Sequence, residues 1–160
     1  MITNMIEHNI NIMSPFLKHA DLKPATIKKW VIETLAECKQ KCSVGISNIS
    51  INEMQELNKK FRKMDKPTNI LAFPFAGSDF SENDEKQLGE LVICERIILE
   101  EAKSQAKSIT DHFAHIIIHG TLHLLGYIHE SDDNATMMEN KEIEILKKFN
   151  IDNPYDQRNI

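Results

Sequence analysis

His119-Gly120-Thr121-Leu122-His123-Leu124-Leu125-Gly126-Tyr127-Ile128-His129 is the stretch from which the rest of the chain is read. His119 and His123 are four residues apart. On a helix that separation turns by about 40° and rises about 6 Å, so both imidazoles stand on one face, within reach of a single ion. Gly126 then stops the helix, since glycine accepts the left-handed conformation that helix ends use. Beyond it the chain turns back and His129 supplies a third nitrogen. Three histidines with an open fourth position describe a catalytic zinc site; a structural site is normally closed by four ligands. The plain alternative is a set of exposed or core histidines on an amphipathic helix, and a motif alone does not exclude it.

The helix is read as starting at Thr110, a good N-cap, and as buried through Phe113, Ile116, Ile117, Thr121 and Leu124. His115 lies on the face of His119 and His123, one turn earlier. With three ligands already converging at the other end, it reads as a supporting or packing histidine.

Working outward, Ile6 to Met13 alternates as a strand, and Pro15 interrupts it. A helix is expected from Ala25 to about Lys41, with Pro24 near its start and Ile27, Trp30, Val31, Thr34, Leu35 and Cys38 on its inner face. Val44 to Ile51 reads as a second strand. Asn52 and Gln55 form a capping-box pattern for a short helix to about Phe61, buried through Met54, Leu57 and Phe61. Ile70 to Phe75 is a third strand, ended or placed at an edge by Pro74. Gly77 to Gln87 is polar and acidic, as a loop would be, and Leu88 to Cys94 is a fourth strand. Helices follow over Glu95 to Lys107 and from Asp132–Asp133, the latter with Met137, Met138, Ile143, Leu146 and Phe149 on its apolar face. Asn150 to Ile160 reads as a frayed tail.

The result is an α+β fold: a small mixed four-stranded sheet packed with about five helices, with residues 1–160 forming a single domain. A hydrophobic fraction of 41% and a charged fraction of 27% suit a soluble globular protein. The net charge of −5 argues against a protein that coats nucleic acid through overall basicity, but it leaves room for a local basic strip. Lys59, Lys60, Arg62, Lys63 and Lys66 supply one. Cys38, Cys42 and Cys94 are an odd count and read as reduced thiols, which fits a cytoplasmic location. Cys38 and Cys42 stand at helical spacing. No signal peptide and no membrane span is visible.

Two segments carry a family resemblance. His119 to His129 is similar to the YbeY family signature His-Gly-x-Leu-His-Leu-x-Gly-Tyr-Asp-His, matched at His119, Gly120, Leu122, His123, Leu124, Gly126, Tyr127 and His129. Leu57 to Pro74 resembles that family's Leu-Asn-x-x-Tyr/Phe-Arg-x-x-Asp-x-Pro-Thr-Asp/Asn-Val/Ile-Leu-Ser-Phe-Pro segment. Leu88 to Ile93 resembles its Leu-Gly-Asp-Ile-x-Ile strand. Ile128 stands where the family usually carries aspartate, and Ala72 where it carries serine.

The resemblance implies a zincin-like fold and a metal-dependent endoribonuclease specific for single strands, with Zn2+ held by His119, His123 and His129. It makes Arg62 a catalytic residue beside His119. A guanidinium fork suits that task, since it binds phosphate oxygens bidentately. The implied partners are ribosomal RNA and the small ribosomal subunit, with processing of the small-subunit RNA 3′ end and ribosome quality control as the setting; neither DNA nor membrane is expected. Two other readings are open. A metalloprotease needs His-Glu-x-x-His, and Gly120 occupies the position of its general base. A non-catalytic ribosome-assembly factor could use the metal only to hold its fold.

Overall fold

The computed structural model describes residues 6–13, 22–76 and 85–156. The elements are β1 (Asn9–Ile12), α1 (Pro24–Thr34), β2 (Cys42–Asn48), α2 (Ile51–Arg62), β3 (Ile70–Pro74), β4 (Lys86–Ile93), α3 (Glu95–Ser104), α4 (Ile109–Leu124) and α5 (Asp132–Lys147). The strands form one mixed sheet in the order β1-β2-β4-β3. β1 and β4 both run parallel to β2, and β3 runs antiparallel to β4 at the edge. This is the α+β architecture expected, with four strands and five helices.

The strands' inward residues, Ile10, Val44, Ile46, Leu88, Leu91 and Ile93, share one core with α1 and α4. Helix α4 is buried on nearly all sides: Phe113, Ile117, Ile118 and Leu122 are each fully covered. At about 1.5–3 kcal/mol for each large apolar side chain removed from water, this helix is held by its packing far more than by propensity. A smaller cluster of Met54, Leu71, Val92 and Cys94 seats α2 on the other face of the sheet.

Several boundaries differ from the sequence reading. Helix α1 ends at Thr34, not near Lys41, because Cys42 is needed in β2, where its N–H donates to His8 Nδ1 at 3.0 Å. Cys38 and Cys42 therefore do not share a helix. Both are free, and burial with the nearby Cys38 pushes the Cys42 thiol up to about 12. β2 stops at Asn48, so the cap of α2 falls two residues earlier than expected. Ser50 Oγ accepts from Glu53 N and donates to Glu53 Oε1, so the N-cap is Ser50 with Glu53 as its partner, where Asn52 and Gln55 were expected. Ser108, not Thr110, caps α4 by accepting from Asp111 N.

Two inward positions were misassigned by hydrophobicity alone. Phe61 is 55% exposed, while Asn58 is buried in the same helix. Asn58 is one turn from Met54, on the covered stripe, and its Nδ2 donates to Lys66 O at 2.8 Å. On α5, Met137 is exposed and Met138 buried. The C-terminal segment is not frayed over its described part: Ile151 packs against the core, and Tyr155 returns to the helices. Residues 77–84 of the expected acidic loop, Pro15, and residues 157–160 of the tail lie outside the described residues.

Candidate metal centre

Helix α4 carries His119 and His123 in its last turns and ends in a Schellman motif. Gly126, at φ +101°, donates its N–H to His123 O at 3.0 Å, and Tyr127 N–H reaches Leu122 O at 3.0 Å. That turn sends the chain back over the helix end. The His129 ring comes to 4.9 Å from the His123 ring and 5.8 Å from the His119 ring, centroid to centroid. The three residues named from sequence spacing are thus brought together.

Hydrogen bonds decide which nitrogens face inward. His119 Nδ1 lies 2.5 Å from Glu142 Oε1, and a carboxylate there requires the proton on Nδ1. His123 Nδ1 lies 3.0 Å from Tyr127 O, a carbonyl that can only accept. Both Nε2 atoms are then left with lone pairs, and they stand 3.1 Å apart. Two lone pairs at that distance repel unless a cation lies between them. Nitrogens each about 2.0–2.1 Å from a tetrahedral ion are about 3.3 Å apart, so the pair has the spacing a metal needs. A ligand atom of His129 lies within 4.8 Å of both, on an exposed ring with freedom to close the gap. Burial, with His119 alongside, lowers the His123 imidazole to about 4, which keeps it neutral as a ligand must be. The residues fit a divalent cation.

The histidines open into a cleft of about 710 Å³. Arg62, on the last turn of α2, lines the same cleft, as do Phe61 and the edge strand residues Ala72, Phe73 and Pro74. Arg62 is exposed and makes no salt bridge among the described residues. What positions it is the turn behind it. Lys63 takes a left-handed conformation at φ 58°, Gln55 Nε2 donates to Asp65 Oδ1, and Asn58 holds Lys66 O. Asn69 continues the restraint by donating to Glu101, which His112 also binds at 3.0 Å. Burial works against the Glu101 carboxylate, but these hydrogen bonds outweigh it and hold its pKa below the usual range.

Gly120 lies where α4 crosses the sheet. A Cβ there would stand 2.5 Å from Ile70 Cδ1 and 3.0 Å from Leu91 Cδ2. The position beside His119 therefore lacks a side chain, and a Cβ there would require the Ile70 Cδ1 methyl to move. Ile128, in place of the aspartate of the resemblance, is an exposed apolar residue on the cleft wall.

The sequence reading missed Glu142 and Tyr155. Glu142 is fully buried and meets His119 through one oxygen and His115 through the other, at 2.9 Å. The Tyr155 hydroxyl donates to that second oxygen. Burial opposes the charge on Glu142, yet the bonds from His115 and His119 prevail and hold the carboxyl at about 2. A signal for it existed. Met138, Glu142, Ile145 and Leu146 fall on one helical stripe, so the glutamate interrupts an apolar face. His115 stands one turn before His119, bonded to Glu142 at 2.9 Å, and with His119 and Glu142 forms a second group whose ligand atoms lie within 4.8 Å of one another.

Comparison with known proteins shows which family the chain falls in. The family model described as Endoribonuclease YbeY matches residues 16–150. The chain belongs to the YbeY family. Its relatives include the Endoribonuclease YbeY of Acinetobacter baumannii, 47% identical over 145 residues, covering 86% of this chain and 90% of that protein. The Acinetobacter baylyi protein of the same name is 43% identical over 160 residues, covering 94% and 98%. Among solved structures, the solution structure of TM1509 from Thermotoga maritima is similar to this YbeY-family fold, with a TM-score of 0.61, 29% identity and 87% of each chain covered. No helix among the described residues is long and apolar enough to cross a membrane.

Proposed function

We propose that this YbeY-family chain is a metal-dependent endoribonuclease of ribosomal RNA processing. In this reading His119, His123 and His129 hold one zinc ion, Arg62 and His119 are the catalytic residues, and residues 1–160 act as one domain. The substrate is single-stranded RNA, the finer task is maturation of the small-subunit RNA 3′ end with ribosome quality control, and the location is cytoplasmic. The observation that carries most weight is the pair of inward Nε2 lone pairs, 3.1 Å apart, in a cleft shared with an arginine that has no ion-pair partner among the described residues.

When bound, zinc supplies Lewis-acid polarisation of a phosphate oxygen and lowers the pKa of coordinated water. The chain's own groups do the rest. Arg62 offers parallel N–H donors to a phosphodiester and adds positive charge where the reaction develops negative charge. His119 and His123 are fixed in orientation and bring no anionic ligand, so the cation's charge is not offset. Gly120 leaves no general base at the position a metalloprotease uses, and its face of α4 is packed against Ile70 and Leu91.

The test is cleavage of an unpaired RNA oligonucleotide by wild-type protein before chelation, after chelation, and after zinc is returned. Loss and recovery of cleavage are expected. Undiminished cutting by protein shown to be metal-free by elemental analysis would refute metal dependence. RNA binding with no cutting in any metal would favour the assembly-factor reading.

A further inference from the structure

On the side of His119 turned away from His123, helix α5 and the C-terminal segment meet α4. Glu142 lies there at 0% exposure, on the same stripe as Met138, Ile145 and Leu146. A carboxylate in such surroundings is costly unless donors satisfy it. Three do: His119 Nδ1–H at Oε1, and His115 Nε2–H and the Tyr155 hydroxyl at Oε2. His115 Nε2 also lies 3.1 Å from the Tyr155 oxygen, so the three polar groups close on one another. Tyr155 and His115 line the metal cleft on one side, and His115 with Ile151 to Pro154 lines a second cavity of about 570 Å³ on the other. The C-terminal segment is therefore the partition behind the histidine cluster.

We infer that Glu142 and Tyr155 are positioning residues of the metal centre. Tyr155 and His115 hold the Glu142 carboxylate, and Glu142 fixes the Nδ1–H tautomer of His119, so that Nε2 is always the atom presented to the ion. This rests on the metal-centre reading and extends it to Glu142 and Tyr155, which act through His119. A carboxylate behind a ligand histidine both orients the ring and strengthens it as a donor, and loss of such a partner typically weakens metal binding by about 10–100-fold. The hydroxyl of Tyr155 acts one bond further away, so its removal has a smaller effect.

The experiment compares wild type, Glu142→Gln and Tyr155→Phe as full chains. Zinc affinity is read by competition with a chromophoric chelator, His119 tautomer by nitrogen NMR of the imidazoles, and the melting temperature of zinc-free protein in parallel. Glu142→Gln should weaken zinc by about 10–100-fold and leave His119 as a mixture of tautomers. Tyr155→Phe should weaken zinc several-fold with the zinc-free melting temperature near wild type, because Tyr155 is 38% exposed and the ring is kept. Should Glu142→Gln fail to fold, Tyr155→Phe decides alone. Wild-type affinity in the folded variants, or a loss of affinity matched by a melting loss with the tautomer unchanged, overturns the inference. Failure of wild type to bind zinc or cobalt overturns the metal-centre reading along with it.

Discussion

The cleft has two unlike walls. On the histidine wall two of the three rings are held from behind, His119 by Glu142 and His123 by the Tyr127 carbonyl, while the His129 ring is exposed. On the arginine wall, Arg62 is exposed and unpaired among the described residues, and what is held is the turn that follows it, through Asn58 and Gln55. A cation site must have its donors fixed before the ion arrives, since misplaced donors cost affinity directly. A phosphate-binding guanidinium can keep its freedom until substrate supplies the partner. One wall is built for a resident ion and the other for a visitor.

The sharpest way to break that comparison is to remove one member of each wall. His123→Ala should abolish zinc retention and, with it, RNA cleavage. Arg62→Ala should keep zinc and its melting temperature yet slow cleavage by about 100-fold, the scale of losing one donor to developing negative charge. Single-turnover kinetics with elemental analysis read both. An Arg62→Ala protein that has lost its metal would merge the two walls into one unit.

A smaller effect comes from the helix–sheet contact that carries the histidine wall. Gly120→Ala places a methyl group against the Ile70 and Leu91 side-chain ends; overpacking costs about 1–3 kcal/mol, less the roughly 1 kcal/mol that alanine gains over glycine inside a helix. Denaturant unfolding should find that loss, and zinc affinity should fall as α4 shifts from β3. If stability is unchanged, the close approach of helix to sheet is not what sets the wall in place.

The smallest effect is a control remote from both walls. His8 Nδ1 accepts from Cys42 N, and burial lowers its pKa, with a backbone bond to Leu35 acting the other way. A lowered folded pKa means the neutral form is favoured by folding. Its stabilisation is therefore complete above the unfolded value of about 6.5 and is lost as pH falls through the lower folded value. Zinc-free wild type should lose melting temperature on mild acidification more steeply than zinc-free His8→Phe. Equal slopes would remove His8 from the account and leave acid sensitivity to the cleft histidines.

Local chemistry made much of this legible. The strand periods of β2, β3 and β4, the stop at Gly126 and the spacing of His119, His123 and His129 are all short-range properties, and each element was found, though with displaced ends. The displaced starts of α2 and α4 have one cause. Two Ser/Thr/Asn capping candidates within a few residues are locally equivalent, and packing of the following helix chooses Ser50 over Asn52 and Ser108 over Thr110.

The sequence by itself determined the kind of site: three imidazoles about a helix end, a glycine where a protease would need glutamate, and an arginine in a matching motif. Tertiary structure alone decided how the site is held. Glu142 and Tyr155 lie 23 and 36 positions beyond His119, by subtraction of their numbers. No periodic pattern links residues so far apart, because their meeting depends on how α5 packs against α4. The same holds for Arg62, which reaches the cleft only because the sheet's edge strand brings α2 and α4 to one opening.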